Sequence, residues 1–385
     1  MSTVSLGIIG CGTRLCFLTR ELVAKGDGVR VVSVCDPSPQ SIERIKNTHG
    51  QDLKVYGDYR ELVQDPNIEW VAVGSWNCFH RDHVVAALEA GKHVFSEKPL
   101  AITLEQCVDI GRAWKASGKR LIIGFTLRYS EHYRKIKEIV DSGRIGRIVS
   151  FEFNETLQFD HGAYIHGDWR RLRSQAGTHI LEKCCHDLDL ANWIVDSVPR
   201  RVASFGGVNM FTPENEHLMS DIPKSATGVE PFKGWWDYND GIENPFRTNK
   251  DIFDNQVAII EYRNGVRATF HTNCSTAINE RRMYICGTEG TIRSDVIDGS
   301  IWVKRIGYEQ ETVNFSTAGK GGHGGGDGFL TQCWYDCMVL GKQPETGYED
   351  GLNSAITAFA IDEAVDSGKV VDVEAYYRQI DSIMN

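Results

Sequence analysis

The chain has 385 residues, 41% of them hydrophobic and 24% charged, with a formal net charge of −10 at pH 7. That length supports two or three domains with a sizeable core. The acidic balance without a long basic run argues against nucleic acid as a partner, and no apolar run approaches the roughly 20 residues of a membrane-spanning helix. Eleven cysteines are scattered with no repeated C-x-x-C, and no secretory leader is seen at the start. Reduced thiols in a cytoplasmic protein are the expectation.

From Val4 an apolar strand runs into Gly10-Cys11-Gly12, and a helix opens at Thr13-Arg14. The amides at such a helix start carry partial positive charge and hold a pyrophosphate. The next strand, 29–35, ends in Asp36, whose carboxylate suits the hydroxyls of an adenine ribose. Leu15 stands where the third glycine of G-x-G-x-x-G belongs. That glycine serves helix–strand packing, so its absence leaves the phosphate site in place. Asp36 is followed by Pro37-Ser38, with no adjacent arginine to receive a 2′-phosphate, which favours NAD over NADP.

Strands are expected at 5–9, 29–35, 70–73, 93–96 and 121–125, alternating with helices at 13–24, 39–47, 59–64, 80–90 and 104–117. Glycines at 26, 28, 91 and 118 sit where helices should end. Such alternation predicts a parallel sheet with helices on both faces and a ligand beyond the C-terminal strand ends. Three polar loops fall on that edge: Ser75-Trp76-Asn77 with His80, Glu97-Lys98-Pro99, and Arg128-Tyr129.

The second half changes character. Strands are expected at 145–154, 202–208, 256–262, 266–272, 282–286, 291–294 and 300–306, with a hairpin turn at Asn264-Gly265. Residues 210–255 read as a long loop or excursion, 319–328 as a glycine-rich loop, and 348–367 as a helix. The fold class is therefore α/β plus α+β. A Rossmann-type parallel-sheet domain, 1–127, precedes a substrate-binding domain, 128–385, with a large, mostly antiparallel sheet.

The order of glycine turn, Asp36, Glu97-Lys98-Pro99 and Glu182-x-x-x-His186 resembles the glucose–fructose oxidoreductase and inositol dehydrogenase family, Gfo/Idh/MocA. Arg128-Tyr129, the turn at 142–146, Trp169-Arg170 and Asn264-Gly265 add to it. The resemblance implies an NAD(P)-dependent oxidoreductase acting on a hydroxyl of a sugar, glycoside or cyclitol. It implies an open sheet in the second domain that makes a homodimer or homotetramer. It also implies that Lys98 lies beside the nicotinamide and the reacting hydroxyl, faced by His186. The family's usual aspartate is here Glu182, and a carboxylate four residues before His186 shares its face on a continuous helix.

Histidine works as a base near neutrality without help, whereas lysine needs its pKa depressed. His186 is therefore assigned as general base and Lys98 as the group that polarises the substrate oxygen, with the reverse kept open. Glu182 and Asp189 orient His186 or bind hydroxyls, and Lys183 is a further donor. The cofactor set is Gly10, Gly12, Thr13, Arg14, Asp36, Ser75, Trp76, Asn77, His80, Glu97, Lys98 and Arg128. Substrate contacts are expected from Tyr129, His166, Trp169, Arg170, Lys183, Asp189, His186, Trp235 and His323, besides Lys98. Trp235 and Trp236 serve either packing or stacking on a sugar ring. No metal is expected: Cys184-Cys185-His186-Asp187 lacks a second ligand pair at suitable spacing.

A secondary ring hydroxyl, such as that on C3 of a pyranose, is the expected target. An alternative holds NAD permanently and recycles it for glycoside cleavage or sugar-to-sugar hydride exchange. A non-catalytic sensor predicts a broken proton-transfer pair, yet Lys98 and His186 are both present.

Overall fold

Strand β1 (Val4–Ile9) is an apolar run whose last four residues are buried. It leads through the glycine turn into α1 (Thr13–Val23), β2 (Val29–Cys35) and α2 (Pro39–His49). Then come β3 (Lys54–Tyr56), α3 (Tyr59–Gln64), β4 (Trp70–Val73), α4 (His80–Glu89), β5 (His93–Ser96), α5 (Leu104–Ser117) and β6 (Leu121–Ile123). The computed structural model describes residues 3–233, 242–317 and 322–384. The six strands form one parallel sheet in the order β3-β2-β1-β4-β5-β6. The order reverses at β1, which places the ligand crevice beyond the C-terminal ends of β1 and β4. Strand β3 is one more than expected. It is three residues long and pairs only with the end of β2.

The second sheet has nine strands, in the order β14-β13-β12-β11-β7-β10-β9-β8-β15. Before and around its first strand lie α6 (Glu131–Asp141), β7 (Ile148–Gln158), α7 (Phe159–Gly167), α8 (Arg173–Ala176), α9 (His179–Glu182) and α10 (Cys185–Val195). They are followed by β8 (Pro199–Gly207), α11 (Leu218–Asp221), β9 (Asn255–Tyr262), β10 (Arg267–Thr276), β11 (Arg282–Gly287), β12 (Gly290–Asp295), β13 (Ser300–Arg305) and β14 (Thr312–Asn314). The hairpin at Asn264-Gly265 joins β9 to β10 as expected. The β7–β10 pair is parallel, and the other described pairs are antiparallel. Burial alternates along β9: Gln256, Ala258, Ile260 and Tyr262 face the core, while Val257 and Ile259 are exposed. One face is thus packed and the other open.

The excursion after β8 is more built than a loop. The Asp254 carboxylate accepts backbone N–H bonds from Asn209, Met210 and Phe211 and so closes its base. Phe211, Phe232 and Phe246 gather with Ala163 and Cys274 into a small core of their own. Trp235 and Trp236 lie outside the described residues.

The chain ends with α12 (Gly326–Val339), α13 (Tyr348–Ser367), β15 (Val371–Asp372) and α14 (Glu374–Met384). Two compact units result: Met1–Ser130 with Gly321–Ala355 and Ile380–Asn385, and Glu131–Lys320 with Ile356–Gln379. Residues 321–355, expected in the second domain, therefore pack with the first. The reason is α12, whose start falls in the tract expected to be a loop. Leu330, Trp334, Cys337 and Met338 recur at helical spacing, are buried, and join the core of the parallel sheet. Trp334 stacks on Phe95 of β5 at 4.1 Å between ring centroids.

Candidate active site

The glycine turn is held by three contacts. Gly10 donates its N–H to Cys35 at 2.9 Å. Asp36 accepts the Cys11 N–H at 2.6 Å and the Ser38 N–H at 2.7 Å, one on each oxygen. Gly10 has φ +87°, and a Cβ there would lie 2.3 Å from Ser75 N, so the turn and the β4 loop touch through backbone. Gly12 caps α1 with no side-chain bond, and a Cβ built on it meets nothing within 4 Å. Thr13 Oγ1 is buried with no protein partner. An uncapped helix start, open space at Gly12 and an orphaned hydroxyl fit a pyrophosphate, and Asp36 at the end of β2 fits a ribose.

The other expected cofactor residues divide. Trp76 is 44% exposed at the sheet edge, while Asn77 beside it is buried. Ser75 Oγ is bonded to His83 Nδ1 at 2.9 Å. His80 leaves the set, because its ring is fully buried between two carbonyls. Nδ1 lies 2.8 Å from Pro99 O and Nε2 3.1 Å from Ser75 O. Burial lowers its pKa against the pull of those carbonyls, and its role is to tie the β4 loop to the Glu97-Lys98-Pro99 turn.

Arg14, expected to meet the phosphates, is engaged by protein groups. Its guanidinium meets Glu97 Oε1 at 3.0 Å, Thr126 Oγ1 at 2.7 Å and Asp327 Oδ1 at 2.7 Å. Glu97 turns its other oxygen to the Lys98 backbone N–H at 3.3 Å. Arg128 is anchored to Asp350 at 2.8 Å. Tyr129 is a core residue: fully buried, its hydroxyl bonded to Thr346 Oγ1 at 3.0 Å. We remove it from the substrate contacts. His323 belongs to the first unit, 3.3 Å from Asp327.

In the second unit, Glu182 and His186 do not share one helix. Helix α9 ends at Glu182, Lys183 and Cys184 form a turn, and α10 starts at Cys185. Glu182 accepts from Arg170 Nε at 3.2 Å. Arg170 also donates to Asp168 and to the Tyr164 hydroxyl, each at 2.6 Å, and lies over the rings of Tyr164 and Trp169. Lys183 Nζ is 3.8 Å from Glu155. Arg281 spans Glu155 at 3.1 Å and Asp187 at 2.7 and 2.6 Å. Burial raises the Glu155 carboxyl, but Arg281 and Lys183 outweigh it and leave its pKa lowered. His186 and Asp189 are both buried beside this cluster in sequence, on α10. Burial, with Lys183 and Arg170 adding to it, pushes the His161 pKa well below the usual histidine range.

His166, expected to meet substrate, is fully buried and stacks on Phe211 at 4.6 Å, with neither ring nitrogen hydrogen-bonded. The excursion's aromatic core covers it, so it too is removed. Glu155, Asp168, Tyr164 and Arg281 are polar participants that the sequence reading missed. Strand β7 carries two glutamates, and only the structure separates the buried Glu155 from the exposed Glu152. Among the described residues, no group of three or more His, Cys, Asp or Glu is placed to hold a metal ion. None of the helices described there is long and apolar enough to cross a membrane.

The chain thus joins a parallel sheet with a dinucleotide-type turn to a mostly antiparallel sheet beside a buried cluster of Lys183, Glu155, Arg281 and Asp187. The family model for the oxidoreductase NAD-binding Rossmann fold matches residues 4–125, and the GFO/IDH/MocA C-terminal domain model matches 133–293. The chain belongs to the Gfo/Idh/MocA family, and its first unit is an NAD-binding Rossmann domain. Relatives called inositol 2-dehydrogenase include those of Burkholderia cenocepacia (strain HI2424), 36% identical over 194 residues, and Azotobacter vinelandii (strain DJ / ATCC BAA-1303), 40% identical over 197 residues. Each alignment covers 50% of this chain and 55% of the relative, so the chain matches about half the length of these curated relatives. Among solved structures, levoglucosan dehydrogenase in complex with NADH and levoglucosan superposes with a TM-score of 0.78 at 20% identity, over 97% of this chain and 100% of that one. The myo-inositol 2-dehydrogenase of Lactobacillus plantarum gives 0.73 at 23% identity, over 96% and 99%. At those identities the likeness establishes the fold.

Proposed function

We propose that the chain is an NAD-dependent dehydrogenase acting on a secondary ring hydroxyl of a sugar, glycoside or cyclitol. The observation that carries this reading is the placement of Lys98. It follows β5 at the ligand edge of the parallel sheet, in a turn fixed to the glycine-turn helix through Glu97 and Arg14. The inositol 2-dehydrogenase relatives put cyclitols first among the substrates to test. Asp36 followed by Pro37-Ser38 supports NAD over NADP, a reading that Arg44, one to two turns into α2, weakens only slightly.

In this reading NAD bound at the glycine turn supplies the hydride acceptor. Lys98 donates a hydrogen bond to the reacting oxygen and stabilises negative charge there. His186 takes the hydroxyl proton, a task that suits an imidazole near neutrality. Lys183, Trp169 and Arg170 are assigned to the hydroxyls and ring of the substrate, and Glu182 to holding Arg170. A pyranose C3 hydroxyl remains part of the proposal beside cyclitols.

We also assign the open face of the nine-stranded sheet to contacts between copies of this chain, as a dimer or tetramer. Phe205 and Ile259, exposed by 75% and 62%, support that reading. All eleven cysteines are free, which suits a reducing, cytoplasmic setting.

The test is NADH formation from myo-inositol, levoglucosan and methyl pyranosides, on protein first denatured in part to assay released cofactor. Turnover that depends on added NAD supports the dehydrogenase. Cofactor released only on denaturation, with glycoside cleavage and no net NADH, replaces it by the recycling reading.

A further inference from the structure

Arg14 opens α1, one residue past Thr13, yet its charge is spent on protein groups rather than held for a phosphate. Its partners come from three separate places on the sheet edge: Glu97 after β5, Thr126 after β6, and Asp327 at the start of α12. The side chain is 28% exposed, and those of Glu97 and Asp327 are 11% and 12%. The contacts to Glu97 and Thr126 are hydrogen bonds and that to Asp327 is an ion pair; contacts between ionised groups are short and roughly twice as strong as neutral ones.

Two features show that the junction is built rather than incidental. Gly326 lets α12 begin directly on the Thr126 turn: a Cβ there would lie 2.3 Å from Thr126 O. That approach fixes the register of α12 and delivers Asp327 to Arg14. Asp327 then reaches His323 with its second oxygen at 3.3 Å, on a backbone bent through positive φ at His323. On the other side, Glu97 passes the constraint to the Lys98 N–H. One guanidinium therefore links the Lys98 turn, through Glu97, to Asp327, which in turn contacts His323, an expected substrate contact.

We propose that Arg14 is a positioning residue for Lys98, acting through Glu97, and that Asp327 braces Arg14 in that role. This rests on the dehydrogenase reading for its catalytic consequence, but not for its structural one. A reactive group must be held to within a fraction of an ångström by its supporting residues. Losing the guanidinium releases Glu97, leaves the Lys98 turn with one constraint fewer, and leaves the α1 amides and Thr13 to bind phosphate as before.

The experiment compares the full-length chain with Arg14→Gln and Asp327→Asn. NADH affinity is followed by fluorescence, and the labelling rate of Lys98 by an amine-selective reagent is followed by peptide mass spectrometry. Turnover of myo-inositol is measured alongside. For Arg14→Gln the expected result is a Lys98 labelling rate changed about threefold or more, with NADH affinity kept within about threefold. The expected turnover is a kcat lowered about 30-fold or more at nearly unchanged KM for NAD, the signature of a lost transition-state rather than binding interaction. Asp327→Asn should move labelling and kcat in the same direction by a smaller factor, and it decides the matter if Arg14→Gln does not fold. NADH affinity weakened tenfold with Lys98 labelling unchanged would overturn the proposal and make Arg14 a phosphate ligand. Failure of the wild-type chain to turn over myo-inositol would count against the substrate reading alone, since binding and labelling still test Arg14.

Discussion

Leu15 occupies the space that Gly74 leaves. A Cβ on Gly74 would lie 2.5 Å from Leu15 Cγ, and Leu15 is 1% exposed. The third glycine of the dinucleotide turn normally lets helix and strand approach. Here the small residue has moved to the end of β4, and the large one stands on the helix. Leu15→Ala should cost about 2–5 kcal/mol as a buried cavity, and Gly74→Ala about 1–3 kcal/mol by overpacking. Together they should cost less than the sum, by about 0.5–3 kcal/mol. Urea unfolding of the four proteins measures the coupling, and additive costs would show that the two residues do not share one space.

His132 gives a pH prediction with a definite sign. It is 1% exposed on α6, lies edge-on to Tyr133, and neither ring nitrogen is hydrogen-bonded. Burial pulls its pKa down to about 4, against a weak opposite pull from Asp298. The unfolded chain, with histidine near about 6.5, binds the proton first as the pH falls. The contribution of the neutral ring to stability is therefore full above about pH 6.5 and is lost toward pH 4. Asp362, raised to about 7 mainly by burial, acts in the opposite sense over a similar range, so the comparison must be between variants. His132→Phe should match the parent at pH 7.5 and exceed it by about 2 kcal/mol at pH 5. Equal unfolding free energies at pH 5 would place His132 in contact with water.

The parts of the fold that were legible are those where local pattern and tertiary burial agree. Apolar runs located β1, β2, β4 and β5, the first and third closed by glycine and the other two by Asp36 and by Glu97-Lys98-Pro99, and helices α3, α5 and α13 begin and end where expected. Strand β3 escaped because three residues at a sheet edge carry no periodicity. Helix α12 escaped because its first turn holds Gly326 and Gly328 at the end of a glycine tract, and only Leu330, Trp334, Cys337 and Met338 reveal its buried stripe. Site residues failed where burial is decided far away. Tyr129 meets Thr346, 217 positions on, and His166 is covered by Phe211. Glu182 is drawn to Arg170, and a turn at Lys183-Cys184 breaks the helix that would have set it beside His186 in register. Residue types pointed to the chemistry, but only packing says which side chains are free to perform it.

The open sheet face yields a prediction about assembly. Phe205 pairs across strands with Val257, and Ala203 with Ile259, so the exposed apolar side chains form one continuous patch on β8 and β9. A charge placed there should not disturb the buried face, because alternate residues point away from it. Ile259→Asp should keep the melting temperature within a few degrees while lowering the mass seen by light scattering to that of one chain, 43.2 kDa. An unchanged larger mass would move the interface elsewhere, and a parent already at one chain's mass would remove it.

The roles proposed for Lys98 and His186 can be tested with paired variants. A base that takes a proton in the transition state contributes about 10²–10⁴-fold, and its loss leaves cofactor binding intact. His186→Asn should therefore lower kcat by that range and flatten the acid side of the pH–rate profile, with NADH affinity within about threefold of the parent. Lys98→Ala should also abolish turnover, but Lys98→Arg should restore part of it if the residue serves as a charged donor, since a guanidinium keeps its proton at every working pH. If Lys98 is instead the base, arginine will be as inactive as alanine, and the acid limb will survive in His186→Asn. Steady-state rates from pH 5 to 10 for the three variants, with myo-inositol and NAD, separate the two assignments.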